Sequence, residues 1–148
     1  MHQIKTELAE FSAAHRLIKG YQGKCRHLHG HNYRIFVTFS AAQLDEFDFV
    51  VDFGDVKELC NQWVQDNWDH SVIISSDDEE LLQFARAHQQ HHYVIPNGLN
   101  TTVEVLAKTL FTLMAPLVKE RISEKNPTIS LTEVEIWETK HSCARYAV

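Results

Sequence analysis

A chain of 148 residues, 44% hydrophobic and 23% charged, has ordinary globular composition and fits a single domain, residues 1–148, with room for a real core. Its formal net charge of −6 argues against a nucleic-acid partner gripped by phosphate neutralisation, and no apolar run approaches the length of a membrane span. Cys25, Cys60 and Cys143 have no framework spacing and the start MHQIKTELAE lacks a secretory pattern, so free thiols and a cytoplasmic setting are expected.

In chain order, MHQIKTELAEFSAAH is a weak strand candidate, and HNYRIFVTFS alternates around Tyr33, Ile35, Val37 and Phe39 as a strand does. The two would form a hairpin with a long loop. GDVKELCNQWVQDNW places Val56, Leu59, Cys60, Trp63 and Val64 on one helical face. Residues 71–98 read as polar and irregular, with a short helix in DDEELLQFARAH and a solvated loop at HQQHHY. NTTVEVLAKTLFTLMAPLVKERI is the clearest helix, with a stripe of Val103, Leu106, Leu110, Leu113, Met114 and Leu117. Asn100 or Thr101 can cap it, Thr101-x-x-Glu104 reads as a capping box, and Pro116 should kink or end it. ISLTEVEIWET returns to period two, with Thr132, Val134, Ile136 and Glu138 sharing a face, and CARYAV closes the chain as a short strand. The order β-β-α-(α)-α-β-β implies an α+β fold with an antiparallel sheet.

The stretch CRHLHGH carries the chemistry. On a strand His29 and His31 point the same way, Gly30 leaves the backbone between them uncrowded, and His15, ending the opening strand, can reach the same point across the ladder. Three neutral imidazoles that leave a fourth position open are the donor set of a catalytic zinc. Two plainer readings compete: the histidines are exposed strand residues, or Cys25 joins them and closes a structural site. His27, ahead of the regular strand, is left out of the ligand set. No acidic residue occurs between Phe11 and Leu44, whereas Arg16, Lys19, Lys24, Arg26 and Arg34 do. A local positive field there would draw a small, multiply charged anion. Cys60, on an apolar helix face, reads as packing.

FSAAHRL, C-x-x-x-H-G-H-N-Y, VVDFGDVK, WDH, NTTVEVLA and WET occur in this order over Phe11 to Thr139. The set resembles the 6-pyruvoyltetrahydropterin synthase/6-carboxytetrahydropterin synthase family. The resemblance implies the tunnelling fold, a four-stranded antiparallel sheet backed by helices, with trimers pairing into hexamers. It implies that His15, His29 and His31 bind Zn2+, that Cys25 is the base, and that Asp69 and His70 form an acid/base relay. It assigns Glu138 to the pterin ring and the relay, and Thr102 and Glu104 to pterin binding. The substrate class would be 7,8-dihydroneopterin triphosphate, whose charge suits the basic window. Three residues separate Cys25 from His29, as in the bacterial carboxy-pterin branch of queuosine (7-deazapurine) synthesis; five are usual in the branch making 6-pyruvoyltetrahydropterin. The stretch between His70 and Asn97 looks longer than in compact bacterial members.

The metal and the flanking Lys24 and Arg26 favour the thiolate form of Cys25. Glu138, on the face of Val134 and Ile136, should point inward, where a lone carboxylate needs a donor partner. The expected activity is therefore a zinc lyase making 6-carboxy-5,6,7,8-tetrahydropterin, acetaldehyde and triphosphate. The alternatives are a 6-pyruvoyltetrahydropterin synthase and, from another class, a non-catalytic zinc-stabilised binding domain.

Overall fold

The computed structural model describes residues Met1 to Val148. Its spine is β3 (His29–Ala41), 13 residues long. The opening fifteen residues form two strands rather than one: β1 (His2–Glu7) pairs antiparallel with Phe36–Ala41, and β2 (Phe11–His15) with His29–Tyr33. The break between them is anchored, since Leu8 is buried and its N–H donates to Ile35 O at 2.9 Å. On the other side of β3 lie β6 (Ser130–Thr139) and then β7 (Ser142–Ala147), both antiparallel. The order β1-β3-β6-β7 is thus the expected four-stranded antiparallel sheet.

The sheet does not stop there. Strand β4 (Ser71–Ser75) runs parallel to β2, and β5 (His92–Ile95) parallel to β4, with α2 (Glu79–Ala87) connecting them. Residues 71–98 are therefore an ordered β-α-β unit, and His92 stands in a strand instead of a solvated loop. Strand β4 is buried on both sides: Ile73 joins the main core, while Val72 and Ile74 pack with Leu81, Leu82 and Ala85 of α2. A strand covered on both faces has no polar–apolar alternation to read, which is why SVIIS gave no signal.

Helices α1 (Phe53–Asn67) and α3 (Val103–Ile122) complete the main core, α1 through Val56, Cys60 and Val64. The cap of α3 is Thr102, whose Oγ1 accepts from Val105 N, so neither Asn100 nor Thr101 caps and the Thr101–Glu104 box does not form. Nor does Pro116 end the helix. It lies on the exposed side, and buried Val118 and Ile122 hold the final turns against the core.

Parity along the strands places the site. Tyr33, Ile35, Val37 and Phe39 of β3 and Val134 and Ile136 of β6 are completely buried on the helix-covered face. The same parity carries His29 and His31 on β3, His15 on β2 and Glu138 on β6 to the end of that face. There the apolar core gives way to polar side chains.

Candidate metal centre

His15 stands directly opposite His29 in the β2–β3 ladder, and Ala13 opposite His31, so three rings from two strands meet at one corner. Ring centroids are 4.7 Å apart for His15–His29, 4.9 Å for His29–His31 and 5.3 Å for His15–His31. Their ligating nitrogens all lie within 4.8 Å of one another. Two rings are oriented through backbone carbonyls: His15 Nδ1 donates to Thr101 O at 2.7 Å and His29 Nδ1 to His27 O at 2.6 Å. A carbonyl oxygen can only accept, so the hydrogen is on Nδ1 and the Nε2 lone pair is free. The Nε2 atoms of all three histidines are buried without a hydrogen-bond partner. Buried polar atoms are normally paired, and three orphaned ring nitrogens, two of them fixed as lone pairs, fit a bound metal ion. The converging ligand atoms are those of the three histidines and do not include Cys25, so a site closed by Cys25 is not the one this geometry builds.

The local field agrees. Burial pushes the His15 pKa down to about 4 against the pull of its Thr101 bond, and the neighbouring His29 and His31 lower it further. Burial also lowers His31, with Glu138 opposing and His29 assisting. Both rings are thereby kept in the neutral form that a metal requires.

Around this cluster, Cys25 is a half-buried free thiol in the 3-10 turn Lys24–Arg26. Leu17 N donates to Cys25 O at 2.8 Å, which pins the turn to the segment following His15. Cys60 is fully buried with its thiol pushed up to about 12, consistent with packing, and Cys143 is exposed. Asp69 and His70 do touch: His70 Nδ1 donates to Asp69 Oδ2 at 2.9 Å. Ser12 N donates to Asp69 Oδ1 at 3.0 Å, and His70 N donates back to Ser12 O at 2.7 Å, so the pair is clamped to β2. His70 itself adopts a left-handed backbone with φ 54°. Burial raises the Asp69 pKa, but the hydrogen bonds from Ser12 N and His70 outweigh it and hold the carboxyl below its ordinary value. The His70 side chain is 83% exposed, and it lines with His31 a shallow depression of about 340 Å³. Glu138, 27% exposed, reaches the cluster from β6. Thr102 is occupied as a helix cap, and Glu104 is exposed in the first turn of α3.

The basic window is only partly free. Arg16 makes a bidentate pair with Asp78 at 2.6 and 2.7 Å, and Arg34 pairs with Glu7 at 2.8 Å. Lys19, Lys24 and Arg26 have no carboxylate partner.

Three contributors were read from the sequence only as cap or core candidates. Thr101, fully buried, orients His15 and donates its hydroxyl to Arg16 O at 3.3 Å. Asn100 Oδ1 accepts from Ile18 N at 2.8 Å, fastening the approach to α3 to the segment that follows β2. Tyr33 lies beneath the histidines, with its ring 5.4 Å from His31 and its buried hydroxyl unpaired. Burial drives that hydroxyl far above the ordinary phenol range, with Glu138 and Cys25 adding to the rise. Its signal was available: HGHNY is three same-face residues in a row.

Comparisons with known proteins agree in direction. The family model described as 6-pyruvoyl tetrahydropterin synthase matches residues 3–148. The 6-carboxy-5,6,7,8-tetrahydropterin synthase of Rickettsia bellii is 39% identical over 135 residues, covering 90% of this chain and 92% of that protein. The Haemophilus influenzae protein of the same name is 28% identical over 99% of both chains. Among solved structures, an uncharacterized protein from Wolinella succinogenes aligns with a TM-score of 0.80 at 21% identity, covering 99% of this chain and 97% of that one. The 6-pyruvoyl tetrahydropterin synthase of Caenorhabditis elegans aligns with a TM-score of 0.63 at 26% identity, covering 100% and 97%.

Proposed function

This chain belongs to the 6-pyruvoyl tetrahydropterin synthase family, and from that premise we propose that it is a lyase converting 7,8-dihydroneopterin triphosphate and water to 6-carboxy-5,6,7,8-tetrahydropterin, acetaldehyde and triphosphate. The observation that carries the reading is the convergence of three unpaired histidine nitrogens beside a free half-buried thiol and a paired Asp–His. The product follows that of the Rickettsia and Haemophilus relatives by name and the three residues between Cys25 and His29. Supply of a queuosine (7-deazapurine) route and work in the cytoplasm belong to the same proposal. No helix is long and apolar enough to cross a membrane.

In this reading His15, His29 and His31 hold Zn2+. When bound, the ion polarises the side-chain hydroxyls of the substrate and makes a neighbouring carbon-bound proton more acidic. Cys25 takes that proton. Asp69 fixes the His70 tautomer by accepting from Nδ1, which leaves His70 Nε2 to give or take a proton in the depression it shares with His31. Glu138 accepts the N–H edge of the pterin, assisted by Thr102 and Glu104. Lys19, Lys24 and Arg26, the unpaired cations of the acid-free window, draw in the triphosphate. An 83% exposed relay histidine in an open depression is an unfinished pocket, which supports a homo-oligomer, a hexamer by resemblance, whose neighbours enclose it.

Mass spectrometry of the product from zinc-loaded protein and 7,8-dihydroneopterin triphosphate tests the reading. A 6-carboxy product with acetaldehyde is expected. A 6-pyruvoyl product keeps the site and changes the branch, an outcome favoured by the description of the family model and by the Caenorhabditis neighbour. Cys25→Ala should lose turnover yet retain zinc; zinc lost from a folded variant would make the thiol a ligand. Chelation should leave a folded, inactive protein, whereas wholesale unfolding would favour the zinc-stabilised binding domain.

A further inference from the structure

Strand β6 leaves its regular ladder at one point. Trp137 pairs with Cys143 and Thr139 with Ser142, so two steps on β6 match one on β7, and Glu138 is the extra residue of a β-bulge. The carboxylate faces the histidines: Glu138 Oε1 lies 3.4 Å from His31 Nε2 and 3.6 Å from His15 Nε2. Neither contact is a hydrogen bond, since both nitrogens are without a hydrogen-bond partner. No lysine or arginine pairs with Glu138 either; its ion-pair contacts are these two rings.

The donor inventory makes this arrangement unusual. His15 has committed its Nδ1 hydrogen to Thr101 O, so its Nε2 presents a lone pair. An ionised carboxylate likewise offers only lone pairs. The His15 lone pair and the carboxylate, 3.6 Å apart, repel unless a cation stands between them. The spacing to two of the three histidines suits that cation, although the carboxylate stands outside the tighter group of three nitrogens. With zinc bonds of about 2.0–2.2 Å, neighbouring ligand atoms of a tetrahedral site stand roughly 3.3–3.5 Å apart.

We infer that Glu138 is the fourth ligand of the metal in the substrate-free protein, closing the position that three histidines leave open, and that it leaves the metal when the pterin binds. The inference rests on the metal reading of His15, His29 and His31. One carboxylate oxygen pair then serves two partners in turn, so ring recognition and the opening of the metal to substrate oxygen are a single event. Alternation already places Glu138 at the end of the core face, and the bulge leaves it without a ladder partner on β7.

Cobalt(II) reports the ligand set directly through its visible absorption. The test is titration of cobalt into metal-free wild-type protein, Glu138→Gln and Glu138→Asp, each first checked for native circular dichroism. The expected result is a tetrahedral spectrum for wild type, and for Glu138→Gln an altered spectrum with affinity at least about tenfold weaker. Adding 7,8-dihydroneopterin, which lacks the triphosphate, should move the wild-type spectrum and leave that of Glu138→Gln nearly unmoved. Superimposable spectra and equal affinities for wild type and Glu138→Gln would overturn the fourth-ligand role while leaving the three-histidine site intact. Failure of wild type to bind cobalt or zinc would instead bring down the metal reading itself. Should Glu138→Gln not fold, the wild-type response to 7,8-dihydroneopterin still judges the inference: an unmoved spectrum refutes it.

Discussion

His15 is 2% exposed and titrates near 4 rather than at its ordinary 6.5, first because of burial and then because two other imidazoles stand beside it. Above pH 6.5 the ring is neutral in folded and unfolded chains alike and stability does not respond to it. Between pH 6.5 and about 4 the unfolded chain binds the proton and the folded chain does not, so metal-free protein must lose stability as pH falls through that window. The full difference corresponds to roughly 3 kcal/mol, and His31, lowered for the same first reason, acts in the same direction. Urea unfolding of the metal-free protein across the window should show the decline, and His15→Gln should flatten it. An equally steep decline in that variant would assign the proton uptake elsewhere. Tyr33 tests burial from the opposite side. Its hydroxyl is enclosed without a partner, so Tyr33→Phe should keep stability unchanged or raise it by up to about 1 kcal/mol. A loss in the same unfolding assay would mean that the hydroxyl has a partner.

At the scale of elements, Asp78 joins what the chain keeps far apart. Its side chain, 5% exposed, caps α2 through Leu81 N and grips Arg16, the residue after His15, with both oxygens. The Arg16 guanidinium is the main reason that its carboxyl stays below the usual range, against the opposing effect of burial. Asp78→Ala removes the cap and strands a mostly covered guanidinium, so a cost of about 3 kcal/mol is expected in thermal or urea unfolding. A change under about 0.5 kcal/mol would mean that the pair is solvated and idle. This link also marks the boundary of what the sequence disclosed. The histidine positions were legible because alternation fixes which strand residues share a face, and the same rule turned Glu138 inward. Helix α1 was legible from its apolar spacing. The β4-α2-β5 unit was not, because double-sided burial erases period two and its polar residues are spent on local bonds: Asp78 on α2 and Arg16, Ser76 Oγ on Gly98 N. Two of the five cations in the basic window proved to be structural, which no charge count distinguishes.

At the scale of the whole molecule, the four-stranded sheet ends in two strands that have a partner on one side only, β1 on β3 and β7 on β6. Each is six residues long, and every outward N–H and C=O on such an edge is open to another chain. Natural monomers blunt their edges with proline, bulges or cover, yet neither β1 nor β7 contains proline. Beside β1 the loop before α1 and the start of that helix add an apolar surface, with Phe47 68%, Phe49 48% and Phe53 49% exposed. An open edge next to exposed aromatic rings is what a subunit contact requires, and it stands in the same molecule as His70, whose side chain has nothing over it. The expected outcome is a homo-oligomer in solution, with outward amides of β1 and β7 protected from hydrogen exchange as strongly as those bonded to β3 and β6. Light scattering of the purified protein gives the first half of the answer and exchange mass spectrometry the second. A monomer that turns over substrate, with both edges exchanging freely, would mean that one chain completes its own pocket. The exposure of His70 would then need closure from within the chain. If dilution to monomer instead abolishes activity while each chain keeps its metal, the histidine cluster is complete within one subunit and the catalytic pocket is not.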